Sequence, residues 1–130
     1  MTLDASGCHW TGATSGLPAG AIQIDVTNAT PDDGAFPLFV ISPGHTYADL
    51  ATYLQGLDTQ VHQDSHATID VNPGMATGYG IIGLLRSGQT ASLVANEIPS
   101  GSVAGIACVH ADAAAGITYD VYAVGPLDFK

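Results

Sequence analysis

The stretch Ile98-Pro-Ser-Gly-Ser-Val-Ala-Gly-Ile-Ala-Cys108-Val-His110-Ala-Asp-Ala-Ala-Ala-Gly116-Ile-Thr-Tyr-Asp-Val-Tyr-Ala-Val124 decides how this chain is read. Pro99-Ser100-Gly101 is a turn, Ser102–Val109 has strand composition, and an Ala-rich loop at 111–115 leads into a second strand, Gly116–Gly125. A cysteine and a histidine two positions apart sit where the first strand gives way to the loop. A metal site could draw a thiolate from Cys108 and an imidazole from His110. Cys8, the other cysteine of the chain, is a rival partner for that sulfur.

Working outward, two-residue alternation dominates. Gly20–Asn28 places Ile22, Ile24 and Val26 on one face and Gln23, Asp25 and Thr27 on the other, the pattern of a half-buried strand. Leu17-Pro18-Ala19-Gly20 and residues 29–34 are turns. Ala35–Ser42 is an apolar run of strand length in which Pro37 points to a sheet edge or a strand start. Ala76–Arg86 and Gln89–Asn96 follow, and with a first strand near Gly7–Thr14 the total is about seven. One segment breaks the pattern. From Thr46 to Gln55, Tyr47, Leu50, Ala51 and Leu54 recur at helical spacing, with Thr46 as N-cap, Asp49 at N3 and Gly56 as the stop. Leu57–Gly74 reads as polar and irregular. The expected fold class is all-β, a sandwich with one short inserted helix.

Composition bounds the function. The chain has 130 residues, 12 acidic against 2 basic side chains and a formal charge of −10. Phosphate neutralisation needs clustered Lys and Arg, so nucleic acid is excluded as a partner and anionic lipid is disfavoured. Charged residues make up only 11% and hydrophobic ones 46%, so Gly, Ala, Ser, Thr and apolar groups must cover much of the surface. Such a surface suits a secreted domain or a subunit that associates with its own copies. No apolar run reaches membrane-span length, and residues 2–6 carry no signal-peptide pattern, so an exported form implies a leader already removed. The expectation is an extracytoplasmic protein with a protein partner or self-association.

The order of motifs resembles the cupredoxin superfamily, in particular small extracytoplasmic bacterial members. The residues that carry it are Cys8-His9-Trp10-Thr11-Gly12, then Ala19–Asn28, then Gly44-His45-Thr46-Tyr47-Ala48-Asp49-Leu50, and finally Pro99-Ser100-Gly101 leading to Cys108. The resemblance spans nearly the whole chain and implies a single cupredoxin-like Greek-key domain over 1–130. It also implies where copper ligands would fall. The first histidine belongs in Phe36-Pro37-Leu38-Phe39-Val40, which contains no ligand. The thiolate maps to Cys108, the second imidazole to His110 at a shorter spacing than usual, and the axial thioether to Ile117. With at most two of four ligands left, the resemblance implies a copper-free member with no metal and no cofactor. In such a sandwich the first strand lies against the strand carrying the last cysteine, which implies a Cys8–Cys108 disulfide; the alternative is two buried reduced thiols.

The remaining candidates each have an ordinary reading beside the chemical one. His62 and His66 could chelate a metal if helical, but the polar loop composition favours solvated imidazoles. His9 and His110 with Asp112 could form a second site beside the cysteines. Asn28-Ala29-Thr30 is a glycosylation sequon. Trp10 and the five tyrosines could form a carbohydrate platform, though packing is the commoner use, with Tyr119 and Tyr122 on opposite faces. No nucleophile motif, phosphate loop or carboxylate pair stands out, so the chain is read as a non-enzyme. Its expected role is binding or assembly, with a homomeric surface assembly or a copper carrier with altered ligands as alternatives.

Overall fold

The computed structural model describes residues 1–64, 66–67, 72–112 and 117–130, apart from the side chains at 81, 112, 117 and 118. The alanine-rich part of the loop expected at 111–115 falls mostly outside the described residues. Among the described residues, eight strands and one helix follow in order: β1 Thr2–Asp4, β2 Gly7–His9, β3 Gly20–Asn28, β4 Gly34–Ile41, α1 Tyr47–Gln63, β5 Ala76–Leu85, β6 Thr90–Ile98, β7 Val103–Asp112 and β8 Ile117–Asp128. They form two four-stranded sheets, ordered β2-β1-β3-β6 and β5-β4-β7-β8. β1 runs parallel to β3, and the other pairings are antiparallel. The result is an all-β Greek-key sandwich with a helix laid on one sheet.

The alternation in β3 does what its pattern requires: Ile24 and Val26 enter the core while Gln23 and Asp25 face water. Leu3, Val26, Phe36, Leu38, Leu93 and Ile106 fill the space between the sheets. A second cluster lies on the outer face of β4, β7 and β8, where Leu50 and Leu54 of α1 cover Phe39, Ala107, Val109 and Val121. β4 is therefore buried on both faces, which explains why its sequence is a continuous apolar run rather than an alternating one.

Four expectations change. The first strand is a short hairpin, β1 and β2, rather than one strand through Thr14. Pro37 lies inside a central strand, and its missing N–H is tolerated because the β4–β7 pairing skips Phe36 and Pro37. His110 belongs to β7 rather than to a loop. Gly56 does not end the helix, which continues to Gln63. Leu50, Leu54 and Val61 are all buried along one stripe with Leu57 packed beside them, and that burial outweighs the roughly 1 kcal/mol a mid-helix glycine costs.

The helix starts where expected. The Asp49 N–H donates to Thr46 Oγ1, and the Thr46 N–H donates to Asp49 Oδ2, a complete capping box. Thr46→Ala should cost about 1 kcal/mol in a denaturant titration. Asp49 sits below its ordinary carboxylate value, chiefly through the Thr46 N–H and then the Thr46 hydroxyl. A lowered folded value means that this stabilisation is present above the ordinary range and lost as pH falls through the folded one.

At its N-terminal end α1 rests directly on backbone. A Cβ at Gly105 would lie 2.8 Å from Leu50 Cδ2, and one at Gly125 would lie 2.6 Å from Tyr47 Cε2. These two glycines let the helix approach the sheet closely, and the burial of Tyr47 there raises its phenol pKa.

Candidate functional site

Cys8 stands on β2, in the first sheet, and Cys108 on β7, in the second. Their sulfurs are bonded, with Cα atoms 6.3 Å apart and 100 positions between them in sequence. Cys108 is fully buried in the core between the sheets. The bridge therefore joins the two layers of the sandwich rather than neighbouring strands of one sheet.

The copper ligand positions implied by the resemblance are occupied as follows. Leu38 is a fully buried core residue, Ile117 opens β8, and the Cys108 sulfur is bonded to Cys8. A type 1 centre needs a thiolate and two imidazoles, and the sulfur in the thiolate position is taken up in the disulfide.

The histidines take separate surroundings. His9 is exposed on the hairpin, with Nε2 2.8 Å from Ser6 Oγ and 3.1 Å from Asp4 Oδ1. His66 lies past the end of α1 with its ring 96% exposed beside Asp64, so the His62/His66 chelate is not formed. His110 turns toward β8 rather than toward His9, and the Asp112 side chain of that expected trio is outside the described residues.

A different cluster takes their place. His110 and Asp120 are directly paired across β7 and β8, which brings their side chains together. His110 Nε2 lies 3.2 Å from Asp120 Oδ2, and its ring stacks on Tyr122 at 5.9 Å between centroids. The last turns of α1 reach the same carboxylate, since His62 Nε2 is 2.9 Å from Asp120 Oδ1. Asp58, one turn earlier, accepts the Val121 N–H at Oδ1, and its Oδ2 lies 3.7 Å from His62 Nδ1. Asp58, His62 and Asp120 each offer a ligand atom within 4.8 Å of the others. The Asp58 carbonyl, accepting from the His62 ring, raises the His62 pKa, and the charges of Asp58 and Asp120 add to this against partial burial.

Asp58 and Asp120 were not singled out from sequence. The signal for one of them was there, because Asp58 and His62 stand at i and i+4 once the helix is allowed past Gly56. Asp120 becomes visible only through the β7–β8 register.

Two further sites resolve simply. Asn28 is fully buried, and its Nδ2 donates to the Asp32 and Leu85 carbonyls while its Oδ1 accepts from Thr30. The sequon at Asn28 therefore serves as a structural knot in the folded chain. Tyr119 packs in the helix-side cluster and Tyr122 against the sandwich core, on opposite faces as their spacing implies. An open groove of about 520 Å³ is lined by Ile41, His45, Tyr79, Pro99 and Ser100 among others, and includes no carboxylate.

No family model matches this chain, and no curated protein does. Among solved structures it is similar to sodium dithionite-reduced auracyanin from the photosynthetic bacterium Roseiflexus castenholzii. That match has 16% identity and a TM-score of 0.39, and covers 84% of this chain and 81% of the other. A likeness this loose defines neither family nor function.

Proposed function

We propose that this chain is a cupredoxin-like domain that has given up redox copper and acts, without catalysis, in binding or assembly outside the cytoplasm. The observation that carries this reading is the Cys8–Cys108 bond. The sulfur that a blue-copper site would use as thiolate is held in a cross-link between the sheets, and thiolate is the ligand such a centre cannot replace. Leu38, in the position of the first imidazole, is core packing. A long-range disulfide also favours an oxidising compartment, and no helix among the described residues is long and apolar enough to cross a membrane.

A copper carrier with rearranged ligands is less well supported, because His9 and His110 face different partners. The test is Cu(II) titration of the purified, non-reduced chain followed by visible absorption. The expected result is no intense thiolate-to-copper charge-transfer band. An intense blue band, with a free thiol detected at Cys108, would overturn the reading.

A further inference from the structure

Two imidazoles converge on Asp120 with their other nitrogens already committed. His62 Nδ1 lies 2.6 Å from the Asp58 carbonyl oxygen, and His110 Nδ1 lies 2.7 Å from the Ala111 carbonyl oxygen. A carbonyl only accepts, so both Nδ1 atoms are donors, and both rings turn Nε2 toward the same carboxylate. Fixing the tautomer through Nδ1–H to a backbone carbonyl is the usual outer-sphere arrangement of a metal-ligating histidine.

His110 Nε2 makes the case specific. Its residue is only 6% exposed, and the atom is buried without a hydrogen bond despite lying 3.2 Å from Asp120 Oδ2, because the geometry does not align a proton between them. A buried nitrogen in that state requires an explanation. A shared proton needs the alignment that is missing, whereas a metal ion needs only a lone pair directed near it. The donor separations also suit a small ion: tetrahedral zinc, at about 2.0–2.2 Å from N and O donors, sets neighbouring donors roughly 3.3 Å apart. The His62 Nε2–Asp120 Oδ1 distance, 2.9 Å, lies close to that edge, and His110 Nε2 lies 3.2 Å from the other oxygen of the same carboxylate, Oδ2.

We infer that the cluster Asp58, His62 and Asp120, with His110 standing against the second oxygen of Asp120, forms a binding site for a divalent metal ion of the zinc class. The donor set, two imidazoles and two carboxylates with no thiolate, matches borderline ions such as Zn²⁺ rather than Cu(I), Mg²⁺ or Ca²⁺. The half-exposed ring of His62 leaves a way in from solvent, and the formal charge of −10 favours a cation. Bound there, the ion ties the end of α1 to β7 and β8 without drawing on the disulfide sulfurs.

The test uses the whole chain, stripped with EDTA and titrated with ZnCl₂ by calorimetry and thermal unfolding. The expected result is one Zn²⁺ per chain with a rise in Tm. His62→Ala and His110→Gln should each weaken binding by more than about 100-fold, beyond the 10–100-fold that loss of an outer-sphere partner costs. The triple variant His9→Ala, His45→Ala, His66→Ala should bind as the parent does. Absence of zinc binding, or its persistence in His62→Ala or in folded His110→Gln, would overturn the site. So would its loss in the triple variant, which would assign the ion to surface histidines. His62 is partly exposed, so its variant keeps the test decisive even if His110→Gln fails to fold.

Discussion

Replacing Cys8 by serine should lower the unfolding free energy by about 4–5 kcal/mol, the chain-entropy value for a loop of roughly 100 residues. The bridge spans 100 positions, so cutting it returns to the unfolded chain nearly all the freedom that a single cross-link can remove. Its placement adds to the effect. Cys108 is fully buried between the sheets, and Cys8 packs beside the same cluster. The serine variant would set a hydroxyl, and leave a free thiol, where apolar contact is required. Urea denaturation of parent and variant, with and without reductant, is the measurement. Reductant should destabilise the parent to near the level of the variant and leave the variant unchanged. If reduction shifts the parent by less than about 1 kcal/mol, the bridge is a minor element of stability.

Phe36→Ala should cost about 3–5 kcal/mol, the range for truncating a fully buried aromatic ring. Phe36 is fully buried between the sheets, and its ring stands close against the Gly34 backbone beside Leu3. The segment cannot easily collapse into the vacated space, because β4 is held by β5 on one side and β7 on the other. Leu38→Ala, two residues on in the same strand face, should fall somewhat lower, at about 2–5 kcal/mol. Equilibrium unfolding of both variants checks the order. A Phe36→Ala cost within about 1 kcal/mol of zero would mean that the core closes up around the gap.

What sequence reading recovered follows from how local the determining force was. The alternation of β3 and the capping box at Thr46 depend on a few neighbouring residues, and both were legible. Gly56 and Pro37 misled for one reason: each has a strong local preference overruled by contacts far away in sequence. Gly56 is carried through by the burial of Val61, and Pro37 by a gap in the β4–β7 pairing. The candidate site suffered most from the shortened helix. A helix ending at Gln55 leaves Asp58 and His62 in a loop, where His66 is the nearest partner for His62. The partner that matters, Asp120, lies 58 positions further on and is reached only through β8.

The glycine seat beneath Tyr47 and Leu50 has a consequence at the opposite end of the helix. Tyr47 and His62 are separated by 15 residues, roughly 22 Å of helix. A stiff rod of that length, propped up near its start by one methyl group at Gly105 or Gly125, would tilt, and its tail would shift with it. Fine adjustment of the imidazole–carboxylate cluster can therefore be lost through a change two dozen ångströms away that touches none of its members.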